Sequence, residues 1–164
     1  MPIGGAEQPD ILQITPSLRL RRFDGRFSFA LPWYQDAETL MLVDGKTAPY
    51  DQKRLEKMYT YLDAHGELYF IEILEDGSFR PIGDVTFWQD DLPIVVGDPA
   101  WRGRGVGKRV VTALIARARS LGFQTLRVGE IYAFNEGSRR LFESCGFRPY
   151  ETTENGSRYI LSLS

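Results

Sequence analysis

The most constraining stretch is Asp98-Pro99-Ala100-Trp101-Arg102-Gly103-Arg104-Gly105-Val106-Gly107-Lys108. An apolar run, Ile94-Val95-Val96-Gly97, leads into it. Beyond it Val110, Val111, Leu114, Ile115, Ala118 and Leu121 recur at helical spacing. The pattern predicts a strand, a glycine turn and a helix that packs one broad face on a sheet. Such a junction suits an anion. Glycines let the backbone curl close to a ligand, and a helix start presents unpaired N–H groups at the positive end of its dipole. Arg102, Arg104 and Lys108 add full charges, so a ligand with phosphates is expected; the alternative is a glycine turn that merely connects.

Two familiar phosphate loops fail on spacing. A P-loop needs Gly, four residues and then Gly-Lys-Ser/Thr. Here Arg102 stands at the first glycine and Arg109 at the Ser/Thr. A dinucleotide fingerprint needs Gly-x-Gly-x-x-Gly, whereas this loop runs Gly-x-Gly-x-Gly from Gly103 to Gly107. What remains is Arg-x-x-Gly-x-Gly, made by Arg102, Gly105 and Gly107.

The rest of the chain frames this loop. At 164 residues one domain is the default, and 43% hydrophobic content argues for a folded globule. Residues 1–16 read as a loose arm and residues 17–164 as the domain. Leu18 to Phe23 alternates apolar and charged residues, as a half-buried strand does. Phe27 to Leu42 is aromatic-rich and reads as one short helix with loops. Pro49 to Ala64 reads as a second helix, begun by Asp51 and ended by Gly66 as a C-terminal cap. Glu67–Leu74, Phe79–Trp88 and Leu92–Val96 form a meander turned at Glu75-Asp76-Gly77-Ser78 and at Gln89-Asp90-Asp91. After the glycine loop and its helix, Gly122 stops the helix and Phe123–Ile131 is the next strand. A helix joining two strands of one sheet implies a right-handed crossover and a parallel pair.

Several classes are disfavoured. A net charge of −2 gives no global basic surface for nucleic acid. A single cysteine, Cys145, excludes an intramolecular disulfide, and one histidine beside one cysteine disfavours a structural zinc site, so no metal is expected. Cys145 sits at a core spacing and reads as inert; His65 reads as a surface residue in a turn. No apolar run approaches a membrane span, and Met1 to Asp10 lacks a basic-then-apolar leader, so no membrane association and a cytoplasmic location are expected.

A second motif follows the crossover: Asn135-Glu136-Gly137-Ser138-Arg139-Arg140-Leu141-Phe142-Glu143-Ser144-Cys145-Gly146-Phe147. It resembles Asn-x-x-Ser/Ala-x-x-Leu-Tyr-x-x-x-Gly-Phe, the late motif of the GNAT N-acetyltransferase superfamily. The Arg-x-x-Gly-x-Gly loop resembles that family's pyrophosphate motif. The resemblance covers Ile82 to Phe147, with the two motifs in the family's order and a strand between them.

The resemblance implies an α/β (α+β) fold. Its mixed, largely antiparallel sheet has six to seven strands, split into a V between strands 4 and 5 and flanked by about four helices. Acetyl-CoA would lie in the split as cosubstrate. Its pyrophosphate would rest on the backbone of Gly103, Arg104, Gly105, Val106, Gly107 and Lys108, with Arg102 or Arg104 assisting. Its pantetheine arm would pair with the backbone near Val95 and Val96, and Asn135 and Ser138 would approach it. Family members are often dimers, so a homodimer is an expectation.

The implied reaction is acetyl transfer to an amine by direct attack in a ternary complex. A protonated amine must lose a proton to a base, and backbone N–H groups can stabilise the developing oxyanion. Glu130 is the first-choice base, from its strand position and its resemblance to the glutamate of ribosomal-protein N-terminal acetyltransferases; the alternative is a strand glutamate paired with an arginine. Asp84, Glu72 and Asp98 are reserves. The family's usual acid is a tyrosine where this chain has Phe142, so either no side-chain acid is needed or another group such as Tyr132 serves. Trp33, Tyr34 and Asp84 are expected to contact the acceptor, a small-molecule amine or a protein N-terminus. Asp36, Glu38, Asp44 and Asp51 read as an acidic rim or as a solvated face. Two other readings stay open: a non-catalytic acetyl-CoA sensor and a nucleotide-phosphate domain.

Overall fold

A computed structural model describes residue 3 and residues 5–164. Its elements run β1 (Ile11–Thr15), β2 (Leu18–Arg22), α1 (Ala37–Asp44), α2 (Gln52–His65), β3 (Glu67–Glu75), β4 (Ser78–Phe87), β5 (Ile94–Val96), α3 (Val106–Ser120), β6 (Thr125–Tyr132), α4 (Glu136–Ser144), β7 (Arg148–Thr152) and β8 (Gly156–Ser162). Short 3₁₀ segments at Ser28–Gln35 and Pro99–Trp101 precede α1 and the glycine loop.

The strands form two antiparallel sheets, ordered β1-β2-β3-β4-β5 and β6-β8-β7. Their facing edges are β5 and β6. The main-chain N–H of Arg127 donates to the Gln89 carbonyl at 2.9 Å, which ties β6 to the β4–β5 loop at one end. Further along, β5 and β6 share no ladder, and the edges part. The split falls where expected, between the strand before the glycine loop and the strand after its helix. The expected parallel pair is not formed, because the strands that the crossover joins are the two arms of the V.

Both faces of the five-stranded sheet are covered. Alternation along β3 sends Tyr69, Ile71 and Ile73 to one face, where they pack with Val110, Val111 and Leu114 of α3. Leu68 and Phe70 point to the other, into an aromatic layer with Trp33, Tyr34, Tyr50 and Tyr59. Arg117 on α3 donates to both Glu67 carboxylate oxygens at 2.7 and 2.6 Å, tying that helix to β3. The Asp76-Gly77 hairpin takes positive φ at both residues, 52° and 80°, as a tight turn of this type requires.

Two further expectations are corrected here. The arm, part of which lies outside the described residues, is not loose: Ile11–Thr15 pairs with β2, and the buried Gln8 side chain donates to the Leu68 carbonyl at 3.0 Å. The strands among the described residues therefore number eight rather than six or seven. Gly66 caps α2 as expected, its N–H donating to the Leu62 carbonyl from extended backbone. It is glycine for space, since a Cβ there would lie 2.9 Å from the Phe87 carbonyl oxygen.

Candidate active site

A cleft of about 740 Å³ fills the V. One wall is β5, with Ile94, Val95 and Val96; the other is β6 with Val128, Glu130 and Ile131, continued by Asn135 and Ser138 of the α4 start. The glycine loop and the first turn of α3 close one end, and Thr39, Leu42 and Val43 of α1 stand at the other side.

Helix starts need partners for their first N–H groups, and three of the four α-helices supply one from a side chain. Asp36 accepts from Thr39, Asp51 from Arg54 and Asn135 from Ser138, at 2.8–3.1 Å between the carboxylate or amide oxygen and the backbone nitrogen. α3 has none. Its cap is Gly105, at φ 80°, and the first intrahelical bond runs from the Arg109 N–H to the Gly105 carbonyl. The N–H groups of Val106, Gly107 and Lys108 are left for a ligand, in a loop whose Gly103 and Gly105 both hold left-handed backbone. Gly107 also sets how closely α3 and α4 approach, since a Cβ there would meet the Leu141 side chain at 3.1 Å. The residues present therefore fit a pyrophosphate held by main chain.

Residues 30–147 match the family model described as the acetyltransferase (GNAT) family. The chain belongs to this family. Among solved structures, a domain from Methanocaldococcus jannaschii aligns with a TM-score of 0.75 at 19% identity, over 88% of this chain and 97% of that one. The yncA protein of Salmonella typhimurium, solved with acetyl-CoA, aligns with a TM-score of 0.67 at 19% identity, over 90% and 95% of the two chains. An aminoglycoside acetyltransferase in complex with coenzyme A aligns with a TM-score of 0.70 at 14% identity, over 89% and 95%. At these identities the likeness is one of fold. No curated protein matches the sequence.

This GNAT chain treats its expected cations differently from one another. Arg102 lines the cleft, but its guanidinium is committed elsewhere. It donates to the Val96 carbonyl at 3.0 Å and to the Thr39 hydroxyl, and pairs with Asp36 at 3.6 Å and Glu38 at 3.4 Å. It is a latch between the end of β5 and the start of α1, not a free phosphate ligand. Arg104 lies over the Trp101 ring, 4.1 Å from its centroid, and stands outside the cleft lining. Lys108 lines the cleft.

Glu130 is exposed and lines the cleft; its Oε2 accepts the Thr153 hydroxyl, so the arginine pairing weighed as its alternative is absent among the described residues. Tyr132 lies beside the cleft rather than in its lining. Its ring packs on Gly45 and stacks on Phe134, and partial burial with the Glu130 and Asp44 charges pushes its hydroxyl above the usual range. Phe142, at the position of the family's usual acid, is buried against Phe147.

Trp33, Tyr34 and Asp84 do not form an acceptor surface. Trp33 is buried against Gly97, where a Cβ would lie 2.2 Å from its ring. The Tyr34 and Tyr59 hydroxyls both donate to Oδ2 of the buried Asp84, at 2.6 and 2.8 Å. Desolvation pushes the Asp84 carboxyl up to about 6, against the lowering effect of those two hydrogen bonds. The reserve carboxylates are engaged too: Glu72 with Arg19 and Arg21, Asp98 with Arg80 and with the Ala100 N–H. The acidic rim dissolves into pairs and caps, with Asp44 accepting from Tyr50 and Arg54.

Asp91 is the residue that sequence reading misses. Its Oδ1 accepts the N–H of Gly129 at 2.9 Å, and the site is tight enough that a Cβ on Gly129 would meet the carboxylate at 3.1 Å. A side chain takes the β6 donor that a neighbouring strand would otherwise take, so Asp91 sits as a wedge at the apex of the V. Burial raises its pKa. The Asp90-Asp91 pair before Leu92 reads only as a turn.

Proposed function

We propose that this chain is an acetyl-CoA-dependent N-acetyltransferase that acts on a primary amine by direct attack within a ternary complex. The observation that carries the reading is the uncapped start of α3 at one end of an open cleft that also exposes a carboxylate, Glu130. Acetyl-CoA supplies a thioester, whose carbonyl carbon bonds to the amine nitrogen as its C–S bond breaks and the thiol leaves.

The N–H groups of Gly103 to Lys108 hold the pyrophosphate. At the open edge of β5 the Val96 N–H is the donor offered to the pantetheine arm or the developing oxyanion, since the Val96 carbonyl accepts from Arg102 and the main chain of Val95, expected there, pairs with Asp84 of β4 instead. Asn135 is spent capping α4, so its part in the cofactor site is to fix that helix start and the Ser138 side chain at the wall. Glu130 binds the ammonium form of the acceptor and takes its proton, directly or through water. The Thr153 hydroxyl fixes Oε2, which leaves Oε1 for the amine. No side-chain acid is assigned, because Phe142 has no hydroxyl and a thiol leaves without one; solvent returns its proton.

The test is Glu130→Gln. Acetyl transfer is expected to fall by about 100-fold or more, with coenzyme A affinity unchanged in calorimetry. An unchanged rate would remove Glu130 from the reaction. Binding of acetyl-CoA without transfer to any amine would favour a non-catalytic sensor, the reading that the missing Phe142 hydroxyl supports.

A further inference from the structure

Resting on that acetyl-transfer reading, we infer that the acceptor is a small aromatic monoamine, an arylalkyl primary amine, recognised by Glu130 together with the Tyr132–Phe134 stack. The proposal starts from the rim where the cleft meets α1. Leu42 and Val43 of α1 and Glu130 of β6 line the cleft there. Tyr132, two residues beyond Glu130 at the end of β6, packs on Gly45 at the end of α1 beside the rim. Phe134 stacks on Tyr132 with centroids 5.3 Å apart and rings 15° from parallel. Phe134 lies in the short link between Ile131 and Asn135, both of which line the cleft.

Phe134 is 55% exposed and Leu42 36% exposed. Such apolar area costs free energy in water unless a ligand covers it. A flat ring can extend the existing stack, since aromatic faces pair in offset or tilted geometry over this range of distances.

Charge sets the number of amines. Asp44, the other carboxylate near Tyr132, already accepts from Tyr50 at 3.1 Å and from Arg54 at 3.4 Å. Asp36 and Glu38 are held by Arg102. Of these carboxylates Glu130 alone has no cationic partner among the described residues, which suits one ammonium beside an apolar body. A polyamine or a polyhydroxylated amino sugar would bring further charges or hydroxyls to carboxylates that already face Arg54 and Arg102, and its extra groups would lose hydration without a free counter-charge.

The test uses calorimetry and kinetics together. Phenethylamine, spermidine, kanamycin and a short peptide with a free α-amine are each titrated into the protein with coenzyme A present, then assayed with acetyl-CoA. Phenethylamine is expected to bind and react at least ~10-fold better than the other three. Phe134→Ser is expected to weaken its Kd and raise its KM by roughly 5- to 10-fold, while coenzyme A affinity stays unchanged and Phe134→Tyr restores the amine affinity. Equal or better binding or turnover of spermidine, kanamycin or the peptide would overturn the inference. So would an unaltered phenethylamine Kd in Phe134→Ser, or bound coenzyme A with no turnover of phenethylamine. Each of these leaves coenzyme A binding in place, whereas its absence would overturn the acetyl-transfer reading as well.

Discussion

The two ends of the cleft are built from different materials. At the α3 end the working groups are main-chain N–H donors, exposed because Gly105 supplies no side-chain cap. At the α1 end they are side chains already occupied with one another: Arg102 with Thr39, Asp36 and Glu38, Tyr34 and Tyr59 with Asp84, Tyr50 with Asp44. The difference teaches that one end is shaped to receive a ligand common to many relatives, and the other to hold α1 at a fixed place over the sheet. Among the described residues, Glu130, Phe134 and Leu42 stand exposed at that end.

The largest effect that sharpens this contrast is a pH dependence at the α1 end. Asp84 is buried and its carboxyl is pushed from 3.8 up to about 6 by desolvation. Folding then favours the protonated form, so the stability tied to Asp84 is fully present below about pH 4 and is lost as pH rises through about 6. A shift of this size corresponds to about 3 kcal/mol. Chemical denaturation of wild type and Asp84→Asn from pH 4 to pH 7 should show that loss in the wild type and a flatter profile in the variant. Equal slopes would mean that the Tyr34 and Tyr59 hydrogen bonds fully offset burial.

At the α3 end the matching perturbation is Gly105→Val. A β-branched residue at φ 80° is strained, and relief of that strain moves the N–H groups of the first turn. Coenzyme A affinity should fall by roughly 10- to 30-fold, about 2 kcal/mol, with little change in the far-UV spectrum. Retained affinity would show that the ligand is held by side chains after all, and the contrast between the two ends would disappear.

The contrast also explains what was legible in the sequence. Gly103, Gly105 and Gly107 are neighbours in the chain, and the geometry they impose is local, so the loop and its helix could be read directly; the split sheet came only with the resemblance to the family, since the residues alone pointed to a parallel pair. Asn135 as a cap and Gly122 as a stop are local too. What escaped reading depends on distant partners. Trp33 is buried because Gly97 leaves room for its ring. Arg102 points away from the phosphate site because Thr39 and Glu38 of α1 reach it from across the chain. Asp91 matters because Gly129 offers it an N–H. β1 was hidden for a related reason: its alternation, Ile11 to Thr15, is short and lies on a sheet edge, and its strand character comes from pairing with β2.

Arg102→Ala tests whether the latch holds the two ends together. It removes a charged donor from the Val96 carbonyl and leaves Asp36 and Glu38 without their cation. The guanidinium is mostly buried, and the loss should be about 1–2 kcal/mol, lowering Tm by roughly 3–6 °C. Coenzyme A affinity should change less than it does in Gly105→Val, because the N–H donors of α3 remain. A larger loss of affinity than of stability would make Arg102 a phosphate ligand.

The smallest expected effect belongs to Arg104, although its place inside the glycine motif marks it as a phosphate cation. Its guanidinium rests on the Trp101 ring, donates to the Ala100 carbonyl at 3.4 Å and stands outside the cleft lining. An exposed charge at that distance acts on a phosphate only through solvent, where salt screens it within about 8–10 Å. Arg104→Ala should therefore weaken coenzyme A by less than about 3-fold at physiological salt, an effect that 0.5 M salt removes. If the loss were instead tenfold or more and persisted in high salt, Arg104 would have to leave Trp101 and contact the phosphates directly. The α3 end would then depend on a side chain as the α1 end does, and the main-chain character assigned to it would be incomplete.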